Sequence, residues 1–481
     1  MKREQIVDMI GHAPDAYVED AGKHGLNPRQ KRRLSRRTKW LGGIAAVLAV
    51  VLLFQLPSIP MMITAKAVSE PTASRRLEHD DFYTAESFDR EAFEQMTAAR
   101  EATLSLAIPS LASFTAGCAQ TAIGGTDAVN RLFSPVNAYI GLAMTGELVS
   151  GQTQTQILDA LGAKTTDDLR AYVSTVWEEV ERERGGEICS IANSLWLDRD
   201  ITYVQKTMDD LAYHYYASVY EGDLGSARTE RDITAWMQNN TRGMITKRQP
   251  SGIPPEDQLL TLASAIFFQS KWRDAFRASE NTTAPFHAAD GDTLCTFMNK
   301  KEAHMYYFWE EDFGAVAMGL KNGSTMWFIL PDADKTVDDV LDDSAFTDVI
   351  TQSEFRSEES TNSRYMKVNL SVPQFDVSSS IDLKEALQSM GVTDVFDPLQ
   401  SDFSASVVSE TGVPPYIAAV RQNVRVKIDE KGVTAAAYIE IPGAGAAAPP
   451  DEVIDFILDR PFVFAITKSR IPLFVGTVNC P

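Results

Sequence analysis

Between residues 314 and 331 the chain reads GAVAMGLKNGSTMWFILP, two apolar runs parted by Lys-Asn-Gly. Asn-Gly is the dipeptide that a two-residue hairpin needs, because both central residues take positive φ. The pair Asn322-Gly323 therefore commits this region to antiparallel strands. Further runs have the same character: LLTLASAIFFQSKW (259–272), YMKVNLSVPQFDV (365–377), and RPFVFAITKSRIPLFVGTV (460–478), which reads as a second hairpin. EICSIANSLWLDRD (187–200) is also strand-like. Helical periodicity is concentrated earlier. IPSLASFTAGCAQTAI (108–123) predicts a first helix. A short buried strand then leads to a helix beginning near Ser134-Pro135, where proline suits a first turn. QTQTQILDALGA predicts a helix ending at Gly162, and RDITAWMQNNTRGMI one closed by Gly243. Helices first and strands later make an α+β class with large, mostly antiparallel sheets.

The front of the chain has a different character. Residues 1–39 hold ten Lys/Arg against five Asp/Glu, and they end in RQKRRLSRRTK. An uncharged apolar run, Trp40–Phe54, follows at once and extends more weakly to Ile63. With about 20 apolar residues needed to cross a bilayer, this predicts a transmembrane or signal-anchor segment over 40–63. The basic leader (1–39) would stay inside and the remainder outside. Two readings stay open: a single-pass anchor that holds the protein at the cell surface, or a signal peptide cut near TAKA, after Ala67, with secretion. Residues 64–107, polar and of mixed charge, read as an extracellular linker, and 108–481 as the main domain. The whole chain carries −21, so the part after residue 39 carries −26, which excludes nucleic-acid binding as a main activity.

Little in the main domain suggests catalysis. The six histidines form no HExxH, and neither GxSxG nor a phosphate-binding GxxxxGK[ST] string occurs. GAGAAA (443–448) fits GxGxxA, but Pro449 and Pro450 follow where a helix N-terminus would have to meet a pyrophosphate. The acidic run PDADKTVDDVLDD (331–343) lacks the spacing and glycine of a calcium loop and reads as a helix start. Cys118, Cys189, Cys295 and Cys480 contain no CxxC pair. No catalytic residue, metal ligand or cofactor is assigned.

DEKGVTAAAYIEIPGAGAAAPPDE (429–452) joins a strand pattern to a string of small residues. From Gly432 onward one face is Val433, Ala435, Ala437, Ile439 and Ile441. The other is Thr434, Ala436, Tyr438 and Glu440. In company with other strings in order, this resembles the serpin family. Those strings are NRLFSPVNAYIGLAM (130–144), ITAWMQNNTRGMI (233–245), SAIFFQSKWRDAF (264–276) with Trp272, PQFDVSSSIDLKEALQSMGVTDVFDP (373–398), VRQNVRVKIDEKGVTAAA (420–437) and DRPFVFAITKSRIPLFVGTV (459–478). The set covers nearly everything after residue 108.

The resemblance implies a serpin fold, with helices, three β-sheets and an exposed reactive loop over 430–450. It implies a suicide inhibitor whose bait is cleaved by a serine protease and whose loop then inserts as a new strand, trapping the acyl-enzyme. The hinge would be Glu430, Gly432, Val433, Thr434, Ala435, Ala436 and Ala437, with Val433 where the family usually has Thr or Ser. The reactive bond would be Ala446–Ala447, and its small side chains suit an elastase-like or subtilisin-like target. The sheet-opening region would comprise Ser134, Asn137, Gln422 and Trp272, with Asn137 and Gln422 in place of the serine and histidine of many relatives. A monomeric, bacterial, surface-tethered inhibitor is the expectation, and a non-inhibitory binding or substrate-like serpin is the alternative.

Overall fold

The computed structural model describes residues 60–71, 89–184, 187–245, 259–352, 362–408, 415–433 and 452–481. The helices are α1 (Arg90–Ile123), α2 (Pro135–Leu148), α3 (Gly151–Ala160), α4 (Thr166–Val180), α5 (Gln205–His214), α6 (Ala227–Asn240), α7 (Val337–Asp342), α8 (Ser344–Thr351) and α9 (Lys384–Ser389). The first strands are β1 (Lys66–Ser69), β2 (Arg131–Phe133), β3 (Arg182–Arg184), β4 (Glu187–Asp198), β5 (Thr202–Tyr203), β6 (Ala217–Gly222) and β7 (Leu260–Lys271). After them come β8 (Thr282–Ala288), β9 (Gly291–Trp309), β10 (Phe313–Gly319), β11 (Ser324–Pro331), β12 (Ser363–Pro373) and β13 (Phe375–Asp382). The last are β14 (Val407–Val408), β15 (Arg421–Asp429), β16 (Gly432–Val433), β17 (Val453–Ile457), β18 (Phe462–Lys468) and β19 (Ile471–Val478).

These strands form three sheets. One has the order β1-β6-β4-β7-β16-β15-β13, with β3 beside β4. A second runs β17-β12-β9-β10-β11-β18-β19-β2, with β8 beside β9, and β14 pairs with β5 in a small third. Pairing is antiparallel except at β4–β6 and β12–β17. The hairpin joins β10 to β11 where the Asn-Gly pair lies, but through residues 320–323 rather than a two-residue loop, with Gly323 at φ +82° and Asn322 not at positive φ. The C-terminal hairpin is β18–β19. The acidic run leads into α7, and among the described residues no metal-like cluster forms. Thr336 and Asp339 cap the helix reciprocally there, and their bonding holds the Asp339 carboxyl below its usual range.

Helix α2 runs beneath the first sheet. Its sequence, PVNAYIGLAMTGEL, is apolar on nearly every face, and such a helix must be enclosed. All of it is buried except Ala138 and Gly141. Phe114 and Tyr139 meet edge to face where α1 crosses it, with ring centres 5.6 Å apart.

Two boundaries differ from the sequence reading. The first helix begins at Arg90, not near 108, because Asp89 caps it and the alternation of small and charged residues keeps it helical. The linker assigned to 64–107 is therefore helical from 90 on, and Lys66–Ser69 is a strand. Helix α1 is long and apolar enough by composition to cross a membrane, but one face of its second half, including Ile108, Leu111, Phe114, Cys118 and Ile123, is buried in the main core. The 40–63 segment lies outside the described residues except for Pro60–Ile63.

Candidate functional site

The first sheet is interrupted between β7 and β15. The two run in the same direction, since each is antiparallel to β16, which separates them. β7 has twelve residues and β15 nine, and between them β16 is described over Gly432–Val433, where this stretch of described residues ends. Among the described residues no ladder joins β7 directly to β15. At the end far from β16 a cavity of about 160 Å³ opens between them. Leu260–Ser264 of β7 and Arg421–Asn423 of β15 flank it, and Asn137, Ala138 and Gly141 of α2 form its floor. Ala138 and Gly141, the two α2 residues that are not buried, are thus explained. Among the described residues, the facing backbone groups of β7 and β15 along this cavity have no ladder partner in each other.

At the closed end, Gly432 pairs with Lys271 and Asp429, and Val433 with Ser270 and Ile428. Gly432 has φ +153°, and a Cβ there would lie 2.3 Å from the Ser270 carbonyl oxygen. Only glycine fits. Val433 is 1 % exposed and belongs to the core. The turn before it is bonded on every side. Asp429 Oδ1 accepts from Lys431 N at 2.8 Å, and Glu430 Oε1 accepts from Asn281 Nδ2 and, at 2.7 Å, from Gln374 Nε2. Trp272 Nε1 donates to Asp429 O at 2.8 Å and its backbone N to Lys431 O at 3.0 Å. Glu187, the first residue of β4, accepts from the Ser270 hydroxyl and from Lys271 N.

Toward the open end the N-terminus of α2 reaches both banks. Gln422 on β15 makes a two-way bond with the Ser134 backbone: Oε1 accepts from N at 2.7 Å and Nε2 donates to O at 3.0 Å. The Ser134 hydroxyl donates to Leu473 O at 2.6 Å, so it is fixed to β19. On the other bank the Ser264 hydroxyl of β7 lies between the amide oxygens of Asn137 and Asn193 and donates to one at a time. Parting the strands further strains these bridges first. Arg425 grips Asp376 with two bonds of 2.8 and 2.7 Å, tying β15 to β13. That guanidinium holds the Asp376 carboxyl below its usual range.

Of the residues picked from the sequence, Ser134, Asn137 and Gln422 stand together at this open end. Trp272 does not join them. It lies just past the end of β7, eight residues from Ser264, a separation of roughly 26 Å in an extended chain, and it packs at the closed end instead. Glu430, Gly432 and Val433 form the closed end. Thr434, Ala435, Ala436, Ala437, Ala446 and Ala447 lie outside the described residues. The sequence reading missed Ser264, Asn193, Glu187, Asn281 and Gln374. Ser264 and Asn193 carried a signal, as polar residues within the apolar runs of two central strands. The other three carried none, because their role depends on pairing across the sheet.

Among the described residues, β7 and β15 are thus bridged by β16 at one end and flank a cavity over α2 at the other. The family model for serpins (serine protease inhibitors) matches residues 110–481. The chain belongs to the serpin family. It is 26 % identical over 370 residues to Serpin-ZX of Arabidopsis thaliana, covering 73 % of this chain and 92 % of that one. It is also 26 % identical to an alpha-1-antitrypsin-like protein of Tamias sibiricus, over 78 % of this chain and 88 % of that one. The native-state structure of the thermophilic serpin Tengpin superimposes with a TM-score of 0.68 at 28 % identity, covering 78 % of this chain and 94 % of that one.

Proposed function

We propose that this chain is a covalent-trapping inhibitor of serine proteases whose bait lies beyond Val433, and that the gap between β7 and β15 receives the bait strand after cleavage. The observation that carries this reading is the register of β16. Continuing Val433↔Ser270 and Val433↔Ile428 places Ala437 between Ile266 and Val424, and Ile439 between Ser264 and Gln422. Inward positions on β15 are Gln422, Val424, Val426 and Ile428, all buried. The apolar face of the bait, Val433, Ala435, Ala437 and Ile439, thus falls inward, and Thr434, Ala436, Tyr438 and Glu440 fall outward. Glu440 would then stand opposite Arg421. The bait continues through small residues that enter the sheet without displacing packed neighbours. Ile439 would arrive where Gln422 and Ser264 tether the banks to α2, so completing insertion requires those bridges to rearrange.

In this mechanism the target's serine attacks the carbonyl of Ala446 and the peptide bond to Ala447 breaks. The amino group of Ala447 leaves with a proton, and an ester holds the protease on the bait. Insertion then competes with hydrolysis of that ester. Alanine at the cleaved position favours an elastase-like or subtilisin-like protease. The basic leader and apolar run support tethering outside a cell. The plant and mammalian relatives lend no support to a bacterial source. The hinge run of alanines favours inhibition over a non-inhibitory, substrate-like serpin, since bulky or charged residues at its inward positions would block entry. The test is incubation of the protein with pancreatic elastase followed by a denaturing gel and mass spectrometry. A band of summed mass with a nick after Ala446, or within a residue or two, supports trapping. Cleavage without such a band supports the substrate-like reading.

A further inference from the structure

The sequence pattern Thr64-Ala65-Lys66-Ala67 reads as a signal-peptidase site because of its small residues at alternate positions. The structure gives Ala65 another reason to be small, while Ala67 is exposed. Ile63 and Ala65 pack on a separate apolar cluster of Trp196, Leu224, Ile233, Trp236, Met237 and Ala265. Ala67 pairs with Tyr220 of β6, whose ring stacks on Trp196 with centroids 4.4 Å apart. A larger side chain at Ala65 would lift the strand from this cluster.

The hydrogen bonds of the segment are equally specific, and most lie upstream of the apparent cut. Met61 N donates to Asn239 Oδ1 at 2.8 Å, and Asn239 Nδ2 donates back to Met61 O at 2.9 Å. The Thr64 hydroxyl donates to Asp232 Oδ2 at 2.8 Å and accepts from Arg228 Nε at 2.9 Å. Lys66 pairs with Glu221 at 3.0 Å. Cutting after Ala67 would remove all of these. It would bare the cluster, leave the buried Asp232 without its hydroxyl partner, and shorten β1 to a stub.

We propose that Pro60–Ser69 is the first element of the folded body, that Ile63 and Ala65 serve packing, and that the mature protein keeps this segment together with the leader before it. The chain is thereby held to a lipid bilayer by its own uncut N-terminal segment. Only six residues separate Phe54 from Met61, a reach of at most about 25 Å over the seven steps. This rests on the reading of the apolar run from Trp40 as membrane-targeting, with its end moved back from Ile63, since Met61 and Ile63 are docked on the body.

The experiment is expression of the full chain in a host with a secretory membrane. Carbonate-washed membranes and medium are then separated, and the N-terminal peptide is read by mass spectrometry. The expected product is in the washed membrane with residues 1–67 attached. A soluble product beginning at Val68 overturns the proposal while leaving the targeting reading intact. A soluble product with residues 1–67 attached overturns the targeting reading on which it rests. Trapping of elastase, assayed on the same preparation, reports separately on the inhibitor function. Docking itself is read by limited trypsin digestion of the detergent-solubilised full chain, scored as cleavage after Lys66. Ile63→Asp and Asn239→Ala are each expected to speed that cut by roughly tenfold or more. Equal rates in the unmodified chain and both variants overturn the docking claim.

Discussion

A single glutamate placed at either of two adjacent positions in the bait tests the proposed register. At Ala437 the inserted side chain would point inward between Ile266, 7 % exposed, and Val424, 3 % exposed. Both flanking side chains are aliphatic and offer it no cation, and an unpartnered buried carboxylate costs about 3–5 kcal/mol. At Ala436 the same side chain would point outward beside Arg425. It would also lie near Phe267, over whose ring the Arg242 guanidinium sits at 5.5 Å. A carboxylate between two guanidiniums in partial contact with water costs little. If half of the inward penalty is felt while the strand is entering, insertion slows by about 10- to 70-fold, since about 1.4 kcal/mol is tenfold in rate. Ester hydrolysis then overtakes trapping. The assay titrates a fixed amount of elastase with each variant and reads the number of inhibitor molecules consumed per enzyme, with the covalent band on a gel as a second readout. Ala437→Glu should be turned over as a substrate, and Ala436→Glu should trap nearly as the unmodified chain does. Equal behaviour of the two, or the reverse order, would refute the register and with it the alternation argument.

Three further outcomes follow from the same geometry. Gly432→Ala should lower the midpoint of thermal unfolding, because its Cβ would meet Ser270 O at 2.3 Å and β16 would be expelled from the hinge. An unchanged midpoint would mean that the hinge is not seated as described. Gln422→Ala should cost about 1–3 kcal/mol in urea denaturation, as it leaves the buried Ser134 backbone unpartnered on that side. Burial pushes the Cys118 and Cys189 thiols up to about 12. Alkylation of the folded protein at pH 8 should therefore spare both, and all four cysteines should react once the chain is denatured.

How legible the molecule was depended on how local each signal is. The Asn322-Gly323 hairpin, the start of α2 at Pro135 and the helix ends near Gly162 and Gly243 all arise from short-range backbone preference, and each is found where the sequence puts it. The beginning of α1 was missed because polar helix turns look like linker when their packing partners are far away in sequence. Arg100, for instance, pairs with Glu179 of α4. β1 was hidden for the same reason, since its partner β6 lies about 150 residues further on. Within the site, the glycine at the hinge and the polar residues at the N-terminus of α2 could be picked from the sequence. The division of the gap into a sealed end around Trp272 and an open end around Gln422 could not, because it depends on where along β7 each residue falls.

The central claim is that the gap between β7 and β15 is filled by the bait once the bait is cut. The most direct measurement nicks the loop with a protease that is not trapped, then compares thermal unfolding of the nicked and intact proteins. A new strand paired on both sides adds ladder hydrogen bonds and buries the Ala435, Ala437 and Ile439 face. The nicked form should therefore unfold well above the intact form. A nicked form that unfolds at or below the temperature of the intact one would contradict the account.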